Sequence, residues 1–447
     1  MTASASLGRG RPALEWWRHA PEPGSADPGR LPFQGVMAFT FILLIAPQKI
    51  VPPLAHLRPA LLAAALAVTA LLARRVLHRE PLTVLPREMW LAACLGAWVI
   101  ITLPLSLWPG GSMDFLLDLY LKSLAIFWLL PNAVNTVPRL RRLAWALTLM
   151  AMPLALTALR NFFRGEYMMG AQGVTRILGY DAPLTQNPND QALMLNLLLP
   201  LGVALFLARP RPILRVFLAV ALVLDVAGVI VTFSRAGFLA LVAIVVAYLF
   251  KLWRRPERRF VLAGLLVAVL CLPLLPHGYK QRLSTVMNIA ADPTGSAQAR
   301  RADTFAALRW VADNPLVGAG IGQDTLALNL ERGPSWKAMH NVYLEYAVEL
   351  GVPGFLLFVA LFTCCLASAA SVERKARSDP AQRDLFHLAG GIQVSLIAFS
   401  VGGFFHPVAY HFYFYYMAGL AIALKVASEE VSGRAALDAA LLRARPE

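Results

Sequence analysis

The feature that most constrains the fold is a series of apolar blocks separated by short polar connections. Each block is about 17–22 residues long, which is the length a helix needs to cross a bilayer core of roughly 30 Å. We predict about twelve spanning segments on this basis. They lie at approximately 33–50, 59–76, 88–108, 113–131, 140–160, 190–208, 212–233, 236–252, 260–275, 353–371, 386–404 and 410–427. The predicted fold class is therefore an all-α polytopic membrane protein with a large, partly helical outer loop.

The composition agrees with a membrane protein. Hydrophobic residues make up 58% of the 447 residues and charged residues only 15%, whereas a soluble domain carries about 25% charged residues. The net charge of +15 is spread over short basic clusters between apolar blocks, a pattern that sets membrane topology and attracts anionic lipid head groups. We therefore predict membrane lipids as partners and exclude nucleic acid.

Basic residues mark every second connection, and this indicates the orientation of the chain. The clusters are Arg74, Arg75, Arg79 and Arg87; Arg139, Arg141 and Arg142; Arg209, Arg211 and Arg215; Lys251, Arg254, Arg255, Arg258 and Arg259; and Arg374, Lys375, Arg377 and Arg383. Both termini are then cytoplasmic. The predicted parts are a cytoplasmic N-terminal arm at 1–30 without a cleavable signal peptide, helices 1–9 at 31–275 with an outer loop at about 161–189, a large outer loop at 276–352 with the catalytic residues, helices 10–12 at 353–427, and a cytoplasmic tail at 428–447.

His340 is the first candidate for chemistry, because it stands at the end of the long polar loop, directly before an amphipathic run and Gly351. A neutral imidazole takes up a proton at neutral pH and so suits a general base that activates a hydroxyl. The alternative is a polar residue at a helix N-terminus, and Asn341 beside it is a natural helix cap. Both interpretations stay open at this point.

Arginines are the second group of candidates. Arg235 lies in a tight outer connection between two apolar blocks, where an arginine either marks a site or extends its side chain to the membrane surface. Arg300 and Arg301 precede an amphipathic helix predicted at 302–312 and form either a clamp for an anion or a solvated basic pair. An arginine fork binds phosphate and keeps its proton. The sequence does not decide which of Arg300 and Arg301 points inward.

Several polar residues are predicted to bind substrate beside these groups: Asn341, Asn187, Asn189, Tyr343 and His406. The turn at 185–190 is alternatively a simple helix cap. We predict no metal and no cofactor, because the outer loops contain no HExxH, no DxD and no group of acids, and carboxylates are the usual ligands of Mg²⁺ and Mn²⁺. The four cysteines have no metal-ligand spacing.

The polar residues together resemble the O-antigen ligase/polymerase superfamily. His340-Asn341 is followed after nine residues by Gly351-Val352-Pro353-Gly354, which is similar to the H-N-x9-G-x-x-G signature of that superfamily. The turn Ser234-Arg235-Ala236-Gly237, the run Asn314-Pro315-Leu316-Val317-Gly318-Ala319-Gly320 and Asn187-Pro188-Asn189 also resemble it, as does the twelve-span hydropathy.

The resemblance implies a glycosyltransferase of the bacterial inner membrane with its active site facing the periplasm. Its donor is a glycan on undecaprenyl diphosphate, and the acceptor of an O-antigen ligase is a sugar hydroxyl of lipid A–core. His340 is then the base, and Arg235 with Arg300 or Arg301 binds the diphosphate in an inverting, metal-independent transfer. An O-antigen or exopolysaccharide polymerase and a protein O-oligosaccharyltransferase of the same superfamily are alternatives. A lipid-glycan transporter is the alternative from another class, although the halves of the chain do not resemble each other as transporter repeats do.

Overall fold

The computed structural model describes residues 29–169, 175–208, 210–271 and 296–443, and these residues are mainly helical. The helices of the first half are α1 (Arg30–Ile45), α2 (Pro47–Ile50), α3 (Pro59–Leu77), α4 (Arg87–Thr102), α5 (Pro109–Phe115), α6 (Leu121–Ala133), α7 (Val137–Arg164) and α8 (Pro188–Leu207). The second half has α9 (Pro212–Val231), α10 (Arg235–Leu252), α11 (Arg258–Cys271), α12 (Ser296–Asp313), α13 (Asp324–Arg332), α14 (Val342–Ala376), α15 (Arg383–Gly402) and α16 (Phe412–Arg443). Short 3₁₀ turns lie at Pro52–Leu57, Leu103–Leu105, Pro380–Gln382 and Gly403–Phe405, and a π turn at Leu116–Tyr120 joins α5 to α6.

Each predicted spanning segment coincides with helical structure, so the prediction of a helical polytopic chain is confirmed. Among the described residues, eight helices are long and apolar enough to cross a membrane, and the number of about twelve stays a prediction. The segment at 260–275 corresponds to α11, and its last four residues lie outside the described residues. The antiparallel hairpin of β1 (Tyr167–Met169) and β2 (Thr175–Ile177) in the first outer loop is a departure from the all-α prediction.

The centre of the bundle is α8, which packs against α7, α9, α10 and α15 and is buried over most of its length. Its composition explains this position, because leucine predominates on every side rather than on one face. Pairs of charged side chains such as Arg141 with Asp384 (2.6 Å) and Arg383 with Glu257 (3.3 Å) lie at one end of the bundle. That end coincides with the basic connections of the sequence, and we name it the basic end.

The end of the large loop is held by a kink inside α14. Gly351 has φ 66° and ψ −175°, so it divides α14 into 342–350 and a longer second part. The carbonyl groups that the kink leaves without helical partners are satisfied from outside the helix: the Trp98 indole donates to the Leu350 carbonyl at 2.9 Å. The amides of Ala319 and Gly320 donate to the carbonyls of Val348 and Glu349, each at 2.8 Å. The glycine-rich run at 314–322 is therefore a wedge that caps the first part of α14.

Replacing Gly320 by Ala is expected to destabilise this wedge. Gly320 has φ +92°, and a Cβ atom there would lie 2.1 Å from the Ser106 Oγ. A left-handed backbone and an overpacked contact together cost about 2–4 kcal/mol, which thermal unfolding of the purified protein in detergent measures as a lower melting temperature. Gly264→Ala is the control, since its Cβ would meet nothing within 4 Å and alanine favours a helix. Equal melting temperatures for Gly320→Ala and the wild type would contradict the assigned role.

Candidate active site

A pocket of about 170 Å³ lies where α12, the segment before α14 and the 3₁₀ turn after α15 meet. Its lining residues are Arg300, Arg301, Asp303, Thr304, Met339, His340, Asn341, Phe404 and Phe405. Four of the residues predicted from the sequence, His340, Asn341, Arg300 and Arg301, are thus brought together in one place. The lining combines cations, a titratable imidazole and aromatic rings, which suits an anionic ligand that carries a sugar or lipid part.

His340 is held with one ring nitrogen engaged and the other available to a ligand. Its Nδ1 lies 2.8 Å from the Ala338 carbonyl oxygen. A carbonyl oxygen only accepts hydrogen bonds, so Nδ1 carries the hydrogen and Nε2 is the basic nitrogen of the ring. This arrangement sets the tautomer that a general base requires.

The surroundings keep the His340 imidazole neutral. Burial lowers its pKa below the ordinary 6.5, the positive charge of Arg300 lowers it further, and the hydrogen bond to Ala338 acts in the opposite direction. His406 and Lys337 make smaller contributions that also lower the pKa. At neutral pH the ring is therefore able to accept a proton.

The pH dependence of the reaction follows from this shift. A general base must be unprotonated, so for a reaction in which His340 is the base we expect kcat/KM to be constant above the pKa of His340 and to fall as the pH decreases through it. The midpoint of this acid limb is expected below 6.5, measured from initial rates with the donor well below its KM. A midpoint above 6.5, or a rate that rises toward acid pH, would contradict a neutral His340 base.

The two arginines of the pair differ in their surroundings. Both lie within the first turns of α12, which begins at Ser296, so the prediction that they precede the helix is wrong. The residues at 297–303 include three alanines, a glutamine and two arginines, which are good helix formers, and this extends the helix toward the N-terminus. Arg300 is half-buried, with its Cζ 6.0 Å from the centroid of the Phe405 ring. Arg301 is exposed and lies over Phe305 of its own helix at 5.6 Å.

Arg235 lies at the same end of the bundle as the pocket but does not line it. It is the half-buried first residue of α10, which Ser234 caps by accepting the Gly237 amide at 3.1 Å. A Cβ atom at Gly237 would lie 2.6 Å from the Ala192 Cβ, so α10 begins in close contact with the start of α8. Its role in binding an anion stays a prediction.

The asparagine turn and His406 connect α8 to the pocket. The Asn187 side chain accepts the Asn189 amide at 2.9 Å and so caps α8, as the simpler interpretation of this turn expects. The Asn189 carbonyl lies 3.1 Å from Nε2 of His406, and Nδ1 of His406 lies 2.8 Å from the Gly402 carbonyl. His406 is only 1% exposed, and its two contacts join the start of α8 to the end of α15. It does not line the pocket, but it contributes to the lowered pKa of His340.

Asn341 and Tyr343 both make structural contacts. The Asn341 Oδ1 accepts the amides of Tyr343 at 3.0 Å and Leu344 at 3.3 Å, so Asn341 caps α14 while it also lines the pocket. The Tyr343 hydroxyl donates to the Ser400 carbonyl at 2.8 Å and does not line the pocket. Within the signature, Asn341 caps the start of α14, Gly351 bends this helix, and His340 lines the pocket together with Asn341.

Sequence reasoning did not identify Asp303, Thr304, Met339, Phe404 and Phe405 as pocket residues. The two phenylalanines directly precede His406, which the sequence predicts to bind substrate. Their position beside this predicted residue is the signal in the sequence that could have identified them. Over the ranges that the structure describes, no group of three or more His, Cys, Asp or Glu side chains is arranged to hold a metal ion.

Comparison with known proteins gives one family. Residues 219–359 match the model of the family described as O-antigen ligase, a range that includes Arg235, Arg300, Arg301, His340 and Asn341. No curated protein matches the chain. A chain of the solved structure described as "Structural coordination of polymerization and crosslinking by a peptidoglycan synthase complex" is 21% identical over 77% of this chain and 97% of its own length, with a TM-score of 0.42. That similarity is too distant to transfer any property to this chain.

Proposed function

We propose that the chain is an O-antigen ligase, because residues 219–359 match the model of that family. It transfers a glycan from undecaprenyl diphosphate to a sugar hydroxyl of lipid A–core. The observation that carries this proposal is the pocket that His340 and Arg300 both line, with Nδ1 of His340 engaged by the Ala338 carbonyl. A base and a cation in one pocket suit a transfer in which a hydroxyl nucleophile must lose its proton and the leaving group is an anion.

The proposed step is a direct displacement at the anomeric carbon of the donor. The acceptor hydroxyl oxygen forms a bond to this carbon while its proton passes to Nε2 of His340. The bond between the anomeric carbon and the diphosphate oxygen breaks, and undecaprenyl diphosphate leaves with the electron pair. Attack opposite to the leaving group inverts the configuration of the sugar. His340 becomes an imidazolium that returns its proton to water after the product departs.

In this proposal, arginine side chains bind the diphosphate of the donor. The guanidinium group stays charged at every physiological pH and binds phosphate oxygens through two parallel hydrogen bonds. The assignment of Arg300 to the diphosphate is supported by its place in the pocket that His340 also lines. Arg235 is the second candidate, since its helix begins at the same end of the bundle and an arginine at the border of a membrane region usually serves a site.

The pocket lies at the end of the bundle opposite the basic end, and this supports an active site facing the periplasm. Basic connections stay in the cytoplasm of bacterial inner-membrane proteins, and we propose that both termini are cytoplasmic. A pocket at one end also suits an enzyme better than a transporter, which needs a site that opens to both sides in turn.

Glycan transfer by the purified protein in detergent tests the function. The assay contains a donor with undecaprenyl diphosphate, lipid A–core and EDTA, and we expect glycosylated lipid A–core. Elongation of the lipid-linked glycan without a lipid A–core product would identify a polymerase. Transfer only to serine or threonine of an added protein would identify an oligosaccharyltransferase. No transfer to any acceptor, with movement of the donor across vesicle membranes, would identify a transporter.

A further inference from the structure

We propose that Asp324 is a positioning residue for His340, acting through the backbone of Met339. This inference rests on the proposed role of His340 as the base. Asp324 is the first residue of α13, it is 7% exposed, and it does not line the pocket. Its carboxylate Oδ2 accepts the backbone N–H of Met339, the residue directly before His340.

Asp324 is itself fixed to the part of the fold that carries the pocket. Its backbone N–H donates to Oε1 of Glu349 at 3.1 Å, and its Oδ1 accepts the Thr325 hydroxyl at 3.3 Å. Glu349 lies in the last turn of α14 before the Gly351 kink and is 1% exposed. Asp324 thus joins the segment that carries His340 to the helix that follows it, through its carboxylate on one side and its backbone N–H on the other.

The other side chains of α13 hold the same segment farther from His340. The Asn329 Oδ1 accepts the amides of Ser335 at 3.0 Å and Trp336 at 3.3 Å. Arg332 donates to the Lys337 carbonyl at 2.9 Å. The segment has no helical or strand hydrogen bonds of its own at 334–339, so the side chains of α13 supply the partners that fix its course.

The bond to Met339 is the one that sets the His340 ring. Met339 is 2% exposed, and its N–H belongs to the peptide unit between Ala338 and Met339, directly before His340. The Ala338 carbonyl that holds Nδ1 of His340 belongs to the peptide unit that contains the Met339 N–H. Asp324 and Ala338–His340 are thus connected through a single planar group: the carboxylate holds its N–H, and its carbonyl holds the imidazole.

A carboxylate serves this purpose better than a neutral acceptor. A hydrogen bond to an ionised oxygen is about twice as strong as a neutral one. Burial raises the pKa of Asp324, while the N–H of Met339 and the Thr325 contacts lower it. The geometry therefore couples the strength of the acceptor to the orientation of the peptide between Ala338 and Met339, whose carbonyl holds the His340 ring.

The test compares Asp324→Ala, Asp324→Asn and Asn329→Ala with the wild type in the transfer assay, together with His340→Ala. We expect Asp324→Ala to lower kcat by about 10–100-fold, the effect of a base displaced by about 1 Å. The donor KM is expected to stay within about threefold of the wild-type value, because the arginines assigned to the diphosphate are not held by Asp324. Asp324→Asn keeps an oxygen acceptor for Met339 and is expected to recover most of kcat. The Asn329 side chain holds a more distant part of the segment. Asn329→Ala is therefore expected to lower kcat less than Asp324→Ala does.

Three outcomes would overturn the inference. Wild-type kcat in Asp324→Ala, with His340→Ala inactive, removes the positioning role and leaves the proposed function intact. Equal losses of kcat, donor affinity and melting temperature in both Asp324 variants assign Asp324 to general stability. Full transfer by His340→Ala removes the base, and the role of Asp324 is lost with it.

Discussion

Replacing His340 by Gln is expected to lower the rate constant of glycan transfer by about 10²–10⁴-fold, the usual contribution of a general base. Glutamine has a similar length and polarity but cannot take up the proton of the attacking hydroxyl. The equilibrium binding of the donor is expected to change little, because its diphosphate is assigned to arginines. Single-turnover rates at saturating donor, with binding of radiolabelled donor measured in parallel, separate the two effects.

His78→Gln is a matched control for this experiment. The Nδ1 atom of His78 lies 2.8 Å from the Arg74 carbonyl, which is the same contact that His340 makes with Ala338. His78 is exposed and follows α3, far along the chain from the pocket. We expect wild-type transfer from His78→Gln, so that a loss in His340→Gln reports chemistry rather than the removal of an imidazole. A loss of less than about threefold in His340→Gln would show that another group is the base.

The helices were predictable because the membrane imposes a simple pattern. An apolar block of sufficient length has to satisfy its backbone groups internally, and a helix does so. The largest departure lies at 342–350. We predicted the last three spans from 353, but α14 begins at Val342 because the amphipathic run after Asn341 is already helical and Gly351 bends the helix without ending it. The β hairpin was not predicted because three-residue strands carry too little periodicity.

The site was predictable only in part. His340 stands out as a titratable group and the Arg300–Arg301 pair as charged groups in a polar loop, and the structure places them around one pocket. Phe404 and Phe405 lie in the 3₁₀ turn after α15, and sequence spacing does not show that this turn meets α12. The direction of a side chain is also hidden: Tyr343 is three residues after His340, yet its hydroxyl points to Ser400.

The second large effect is expected from Arg300 and not from its neighbour. Arg300→Ala should weaken donor binding by about 10–100-fold, because a hydrogen bond to a charged group contributes about 1.5–3 kcal/mol. Arg301 has a similar position in sequence but is exposed and lies over Phe305 of its own helix. Arg301→Ala is therefore expected to change binding by less than about threefold, as surface charges usually do. Binding of radiolabelled undecaprenyl diphosphate measures both.

The pH profile distinguishes a local charge at the site from a general loss of structure. The charge of Arg300 lowers the pKa of His340, so Arg300→Ala is expected to move the acid limb of kcat/KM to higher pH, while Arg301→Ala leaves it in place. Arg300→Lys keeps the charge and is expected to retain the wild-type acid limb, but it lacks the guanidinium fork and should still bind the diphosphate more weakly than the wild type. Equal binding losses in Arg300→Ala and Arg301→Ala would assign the diphosphate to the pair as a unit. A loss confined to Arg301→Ala would reverse the assignment, because the exposed member of the pair would then be the one that turns toward the donor when it binds.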